Sequence, residues 1–195
     1  SAGHGATADQ LAGYEAIVVF AGDQGAFTLS DGSGTGSNDD GNDLGTLAGW
    51  RQQTGPRHVA VFGDNVVSDL TNASALGALF VANALGVELV ADDVRPLIDD
   101  QLVASVSTVG TTFVTDFVVG GCLSTEQFDA IVPGAAPSVT RTHEFLDLAA
   151  APGAYPYAAS VLNTRTTTNG SRLDVTVPFS LSSILDAGIA RTNEP

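Results

Sequence analysis

EAIVVFAG, residues 15–22, and HVAVFG, residues 58–63, decide how this chain reads. From Ala16 to Ala21 the branched apolar run is continuous rather than alternating, which is the pattern of a strand covered on both faces. The second run reads the same way and closes in Gly63-Asp64. The two are expected to lie side by side and parallel, as central strands.

Working outward, NDLGTLAGWRQQTGP (42–56) spaces Leu44, Leu47 and Trp50 as one helical face, with Asp40 to Asp43 as candidate caps and Gly55-Pro56 as the stop. NASALGALFVANALGVELV (72–90) predicts a second helix with an apolar face of Leu76, Leu79, Phe80 and Leu85, ended by Gly86. Strand, helix, strand, helix implies a parallel sheet with helices on its faces. Beyond Val103 the texture turns to strand, and YAASVLNTRTTTNGSRLDVTVPF (157–179) reads as a hairpin joined through Asn169-Gly170. The expected fold is α/β, a Rossmann-like three-layer sandwich with a mainly parallel central sheet and the antiparallel C-terminal hairpin at one edge. Residues 1–13 read as a flexible segment, 14–192 as a single α/β domain, and 193–195 as a tail.

Composition narrows the function. Seven cations, all arginine, face 22 carboxylates for a formal charge of −15, so nucleic acid and anionic membranes would be repelled. No apolar run approaches the roughly eighteen residues of a membrane span. One cysteine excludes an internal disulfide framework. With no methionine, a buried strand close to the start and DAGIARTNEP at the finish, the chain is expected to be part of a longer product that carries flanking elements.

The glycine-rich loop SDGSGTGSNDDGND (30–43) carries Asp31, Asp39, Asp40 and Asp43 and no cation, which disfavours a phosphate cradle. Calcium suits it better: Asp31, Ser33, Thr35, Gly36 and Asp39 match EF-hand positions, although Asn42 stands where a bidentate carboxylate closes such a site. Asp92, Asp93, Asp99 and Asp100 form another acidic group. In both places a solvated loop or a helix cap explains the residues as well. Asp23 and Asp64 each follow a buried run, so in a parallel sheet they and Asn65 would form a polar crevice at the carboxyl edge, the usual ligand address of open α/β folds. Carboxylates at strand ends also cap the next turn.

Cys122, between FVVGG and STEQF, is the candidate nucleophile, with His143 as base and Glu144 as orienting carboxylate. Adjacent residues on an extended segment point to opposite faces, however, and a lone cysteine packs as a small hydrophobe. His4 and His58 have no zinc spacing with His143.

The series YEAIVVFAGDQGAFTLSDG, NDDGNDLGTLAGW, HVAVFGDNVVSDL, FVANALGVELVADD, VVGGCLSTEQFDAI and YAASVLNTRTTTNGSRLDVTVPF resembles an α/β module of secreted multidomain bacterial proteins, often ones with FlgD-like or C-terminal sorting segments. That module is similar in fold to the class I glutamine amidotransferase group. The elbow of that group has glycine two residues before and two after its cysteine; here Gly120 fits and Ser124 does not. The resemblance implies an extracellular setting and no settled activity. The expectation is a non-catalytic structural, adhesive or assembly module that self-associates or docks on other parts of its parent protein. The alternative is a cysteine-dependent, amidotransferase-like hydrolase using Cys122.

Overall fold

The computed structural model describes residues 5–22, 29–30, 32, 41–94, 97–98, 101–102, 105–108, 114–117, 128–146, 157–180 and 184–185. In chain order these form helix α1 (Ala8–Leu11), strand β1 (Ala16–Gly22), helix α2 (Asp43–Arg51), strand β2 (His58–Gly63), helices α3 (Val66–Ala73) and α4 (Ala75–Phe80), and a π-helical turn (Val81–Leu85). Strands follow: β3 (Val87–Val94), β4 (Leu97–Ile98), β5 (Gln101–Leu102), β6 (Ser105–Thr108), β7 (Val114–Phe117), β8 (Phe128–Pro133), β9 (Val139–Leu146), β10 (Ala158–Thr167), β11 (Gly170–Val177) and β12 (Ile184–Leu185).

The fold is mostly β, and this overturns the expectation of a mainly parallel Rossmann-like sandwich. Eight strands form one sheet in the order β1-β2-β11-β10-β9-β6-β7-β12. β1 does run parallel to β2, with Val18 opposite Ala60 and Phe20 opposite Phe62, and β2 runs parallel to β11. Every other pair in the sheet is antiparallel. The hairpin β10–β11, expected at an edge, sits in the interior. Four successive residues of β10, Ala158 to Val161, are buried, and small side chains on both faces permit neighbours on both. β3 and β8 pair separately as a two-stranded antiparallel sheet.

β1 is likewise not central: among the described residues it is an edge strand. Its apolar run is continuous, yet only alternate side chains reach the core. Ile17, Val19 and Ala21 pack on the buried cluster, whereas Val18 and Phe20 are 51% and 64% exposed. The described helices supply one layer. Leu44, Leu47 and Trp50 of α2 and Val66, Val67 and Leu70 of α3 join Val59 and Val61 in that cluster, on one side of the sheet.

Local chemistry explains the helix ends. Asn42, not Asp40 or Asp43, caps α2: its Oδ1 accepts from the Gly45 N–H at 2.6 Å, while Asp43 occupies the first turn. The segment read as one helix from residue 72 is divided at Ser74, where the backbone is extended and the hydroxyl caps α4 through the Gly77 N–H. Its buried face is Phe80, Val81, Ala84 and Leu85; Leu76 and Leu79, expected inside, are 41% and 58% exposed. Gly86 does end the run, in the left-handed conformation at φ 74°, donating to the Val81 carbonyl.

Candidate functional site

At the carboxyl end of β2 the chain turns through Gly63, Asp64 and Asn65 into α3. Asp64 and Asn65 are both 6% exposed, and the Asn65 amide donates to Asp64 Oδ1 at 3.4 Å. Asn65 precedes the helix without capping it by its side chain. That work is done across the fold by Asp129 of β8, whose Oδ2 accepts from the N–H groups of Val67 and Ser68 at 2.8 and 2.9 Å. The Asp129 N–H donates to the Asp64 carbonyl at 2.8 Å, fixing β8 against the end of β2. Ser68 donates its hydroxyl to the Asn65 carbonyl.

Asp129 is fully buried, and its Oδ1 has no hydrogen-bond partner. Burial pushes its pKa up from 3.8 to about 6; the Ser68 and Val67 hydrogen bonds oppose this and the nearby Asp64 adds to it. The N-terminus of α3 is a natural place for negative charge, and the protein fills it with its own carboxylate. The Val67 and Ser68 N–H groups are therefore already taken and are not offered to an external phosphate. Asp129 escaped the sequence reading, although an aspartate inside FDAIVPG is the signal that marks it: a lone carboxylate in a strand that is otherwise apolar.

Of the predicted crevice, Asp64 and Asn65 are thus brought together with Asp129, and Asp23 lies outside the described residues. Cys122 also lies outside them. His143 and Glu144 are consecutive on β9, His143 opposite Ser160 and Glu144 opposite Ala158, so their side chains leave opposite faces of the strand. The His143 Nδ1 lies 3.2 Å from the Thr142 hydroxyl, and burial lowers its pKa. His58 accepts the Leu173 N–H on Nδ1 at 3.0 Å, a structural use.

For calcium, Asp31, Asp39 and Asp40, like Asp99 and Asp100, lie outside the described residues. Asp43 belongs to the first turn of α2, and Asn42 spends its oxygen on the cap. The two ends of the acidic loop are drawn together, the Ser30 hydroxyl donating to the Gly41 carbonyl and the Leu44 N–H to the Ser30 carbonyl. Among the described residues no three His, Cys, Asp or Glu side chains gather as a metal site.

A second feature has different chemistry. On the sheet face turned away from α2 and α3, the register aligns Ala16, His58 and Leu173 in one row and Val18, Ala60 and Val175 in the next, with Phe20 beside Phe62 beyond them. The two phenyl rings stack at 5.4 Å. Leu173 is 42% exposed, and Val18 and Phe20 are more exposed still. Contiguous apolar surface of this kind marks an interaction site more often than single exposed residues do.

No protein-family model matches the chain, and no curated protein or solved structure matches it either.

Proposed function

We infer that this chain is a non-catalytic structural or adhesive module of a secreted protein and that it works by assembling with other copies. One observation carries the reading: the sheet ends in β1, whose outer edge has no partner among the described residues and whose outer face exposes Val18 and Phe20. Open edges and bare apolar faces are liabilities for a free monomer and assets for an assembly unit. The Glu15 carbonyl is bonded to the His58 N–H, so the two-residue period of a strand turns the N–H and C=O groups of Ala16, Val18 and Phe20 outward, ready for strand addition. The high acidic charge keeps such a unit soluble and disfavours nucleic acid and anionic lipid as alternatives. The extracellular setting rests on the resemblance to modules of secreted bacterial proteins.

Sedimentation velocity across a wide concentration range, with negative-stain microscopy at the upper end, tests the proposal. Concentration-dependent dimers or longer assemblies are expected. A single monomeric species throughout would overturn it.

A further inference from the structure

We propose that the exposed apolar face formed by β1, β2 and the first half of β11 is the contact itself: two copies pack face to face about a two-fold axis, Val18, Phe20 and Leu173 of one against the same residues of the other. This rests on the assembly reading above and specifies which surface serves it.

Charge comes first. The chain carries −15, so two copies repel unless they meet where neither presents a carboxylate. Residues 16, 18 and 20 of β1, 58, 60 and 62 of β2, and 173 and 175 of β11 share this face, and none is Asp, Glu or Arg. A basic partner would be drawn to the acidic remainder of the surface and would find no counter-charge here. A second copy finds an identical uncharged patch, and identical patches close on one another in a two-fold pair.

Area comes second. Aromatic side chains offer on the order of 150–250 Å² each. At the exposures of Val18, Phe20 and Leu173 the patch therefore presents on the order of 300 Å² per copy. The half-buried Ala60, Phe62 and Val175 between them extend it, and the total over two copies reaches on the order of 800 Å², the small end of protein interfaces, as suits a weak pair that forms at high concentration. Two sheets stacked in this way interdigitate about 10 Å apart, as in a β-sandwich. The pair supplies the second layer that the described helices do not.

The test uses the whole chain. Wild type is expected to sediment as a dimer at high concentration, more strongly as salt rises, because screening weakens repulsion between the acidic copies. Phe20→Lys and Leu173→Lys are each expected to weaken dimerisation at least tenfold, with unchanged far-ultraviolet circular dichroism. Leu79→Lys, at a leucine of α4 that is more exposed than Leu173, is expected to leave it intact. Carbene footprinting of the unsubstituted protein adds a check independent of variant folding: Val18, Phe20 and Leu173 should lose labelling on going from dilute to concentrated samples, and Leu79 should not. Association that survives both lysine variants, or proceeds with Phe20 and Leu173 still labelled, would overturn this face while leaving self-assembly standing. No association under any condition would overturn both.

Discussion

Arg51 and Asp174, 123 positions apart, meet in the interior through two parallel hydrogen bonds of 2.6 and 2.7 Å. Asp174 is fully buried and also receives Arg165 at 3.1 Å. The pair ties the last turn of α2 to the middle of β11, and so holds the helical layer on the sheet. Around it Arg172 donates to the carbonyls of Arg51, Gln53 and Gly55, which fastens the loop after α2 to the same strand. Removing one member leaves the other as an uncompensated buried charge. Asp174→Ala is expected to cost about 3–5 kcal/mol in urea denaturation. Arg51→Met combined with Asp174→Leu should cost clearly less than the single change, since no opposed charge is then stranded on α2; equal losses would show that the attraction itself, rather than its disruption, dominates.

Asp129 offers a prediction with a pH sign. Its folded pKa of about 6 lies above the ordinary 3.8, so between those values the folded state holds a proton that the unfolded state has released. Its contribution is therefore fullest below pH 3.8 and is lost as pH rises through 6, by about 3 kcal/mol in all. Asp129→Asn keeps an oxygen for the Val67 and Ser68 N–H groups and removes the buried charge. Thermal melts should show the variant gaining on wild type from pH 4 to pH 7.5. A gap that does not change with pH would mean that Asp129 titrates normally.

How much of this was legible in the sequence differs from strand to strand. The parallel pairing of β1 with β2 followed from two apolar runs of similar length, and the β10–β11 hairpin from its asparagine and glycine. Even there the pairing is Thr167 to Gly170, so Thr168 and Asn169 make the turn and Gly170 opens the next strand. The placement of both was not legible. In β11 the inward residues are Arg172, Asp174 and Thr176, all buried, while Leu173 faces outward. Hydrophobic alternation points to the wrong face there, because the core side is filled by ion pairs that depend on Arg51 and Arg165. Asp64 and Asn65 could be placed at a strand end from local pattern. Their partner Asp129 could not, since β8 reaches them only through tertiary packing.

The same inversion gives a contrast in stability. Leu173→Thr and Phe20→Thr, on the bare face, should each change the free energy of unfolding of dilute protein by less than about 1 kcal/mol, because exposed side chains gain little from folding. Val61→Ala, next to Ala60 in β2 but on the opposite, fully buried face, should cost about 2 kcal/mol. Chemical denaturation at low concentration separates them; comparable losses would mean that the outer face is covered in solution by this chain.

Two helical glycines should respond to alanine with opposite signs. Gly49, exposed on α2, has nothing within 4 Å of an added Cβ, so Gly49→Ala removes only backbone freedom and should stabilise by about 0.5–1 kcal/mol. Gly77 of α4 is buried where the helix crosses α3, and an added Cβ would stand 2.0 Å from the Leu70 carbonyl oxygen. Backbone cannot move aside as a flexible side chain can, so the two helices must separate and the packing of Leu70 and Phe80 loosens with them. Gly77→Ala is therefore expected to destabilise by about 1–3 kcal/mol despite its better helix propensity. Urea midpoints for the two variants give the answer, and a stabilised Gly77→Ala would mean that α3 and α4 do not approach so closely.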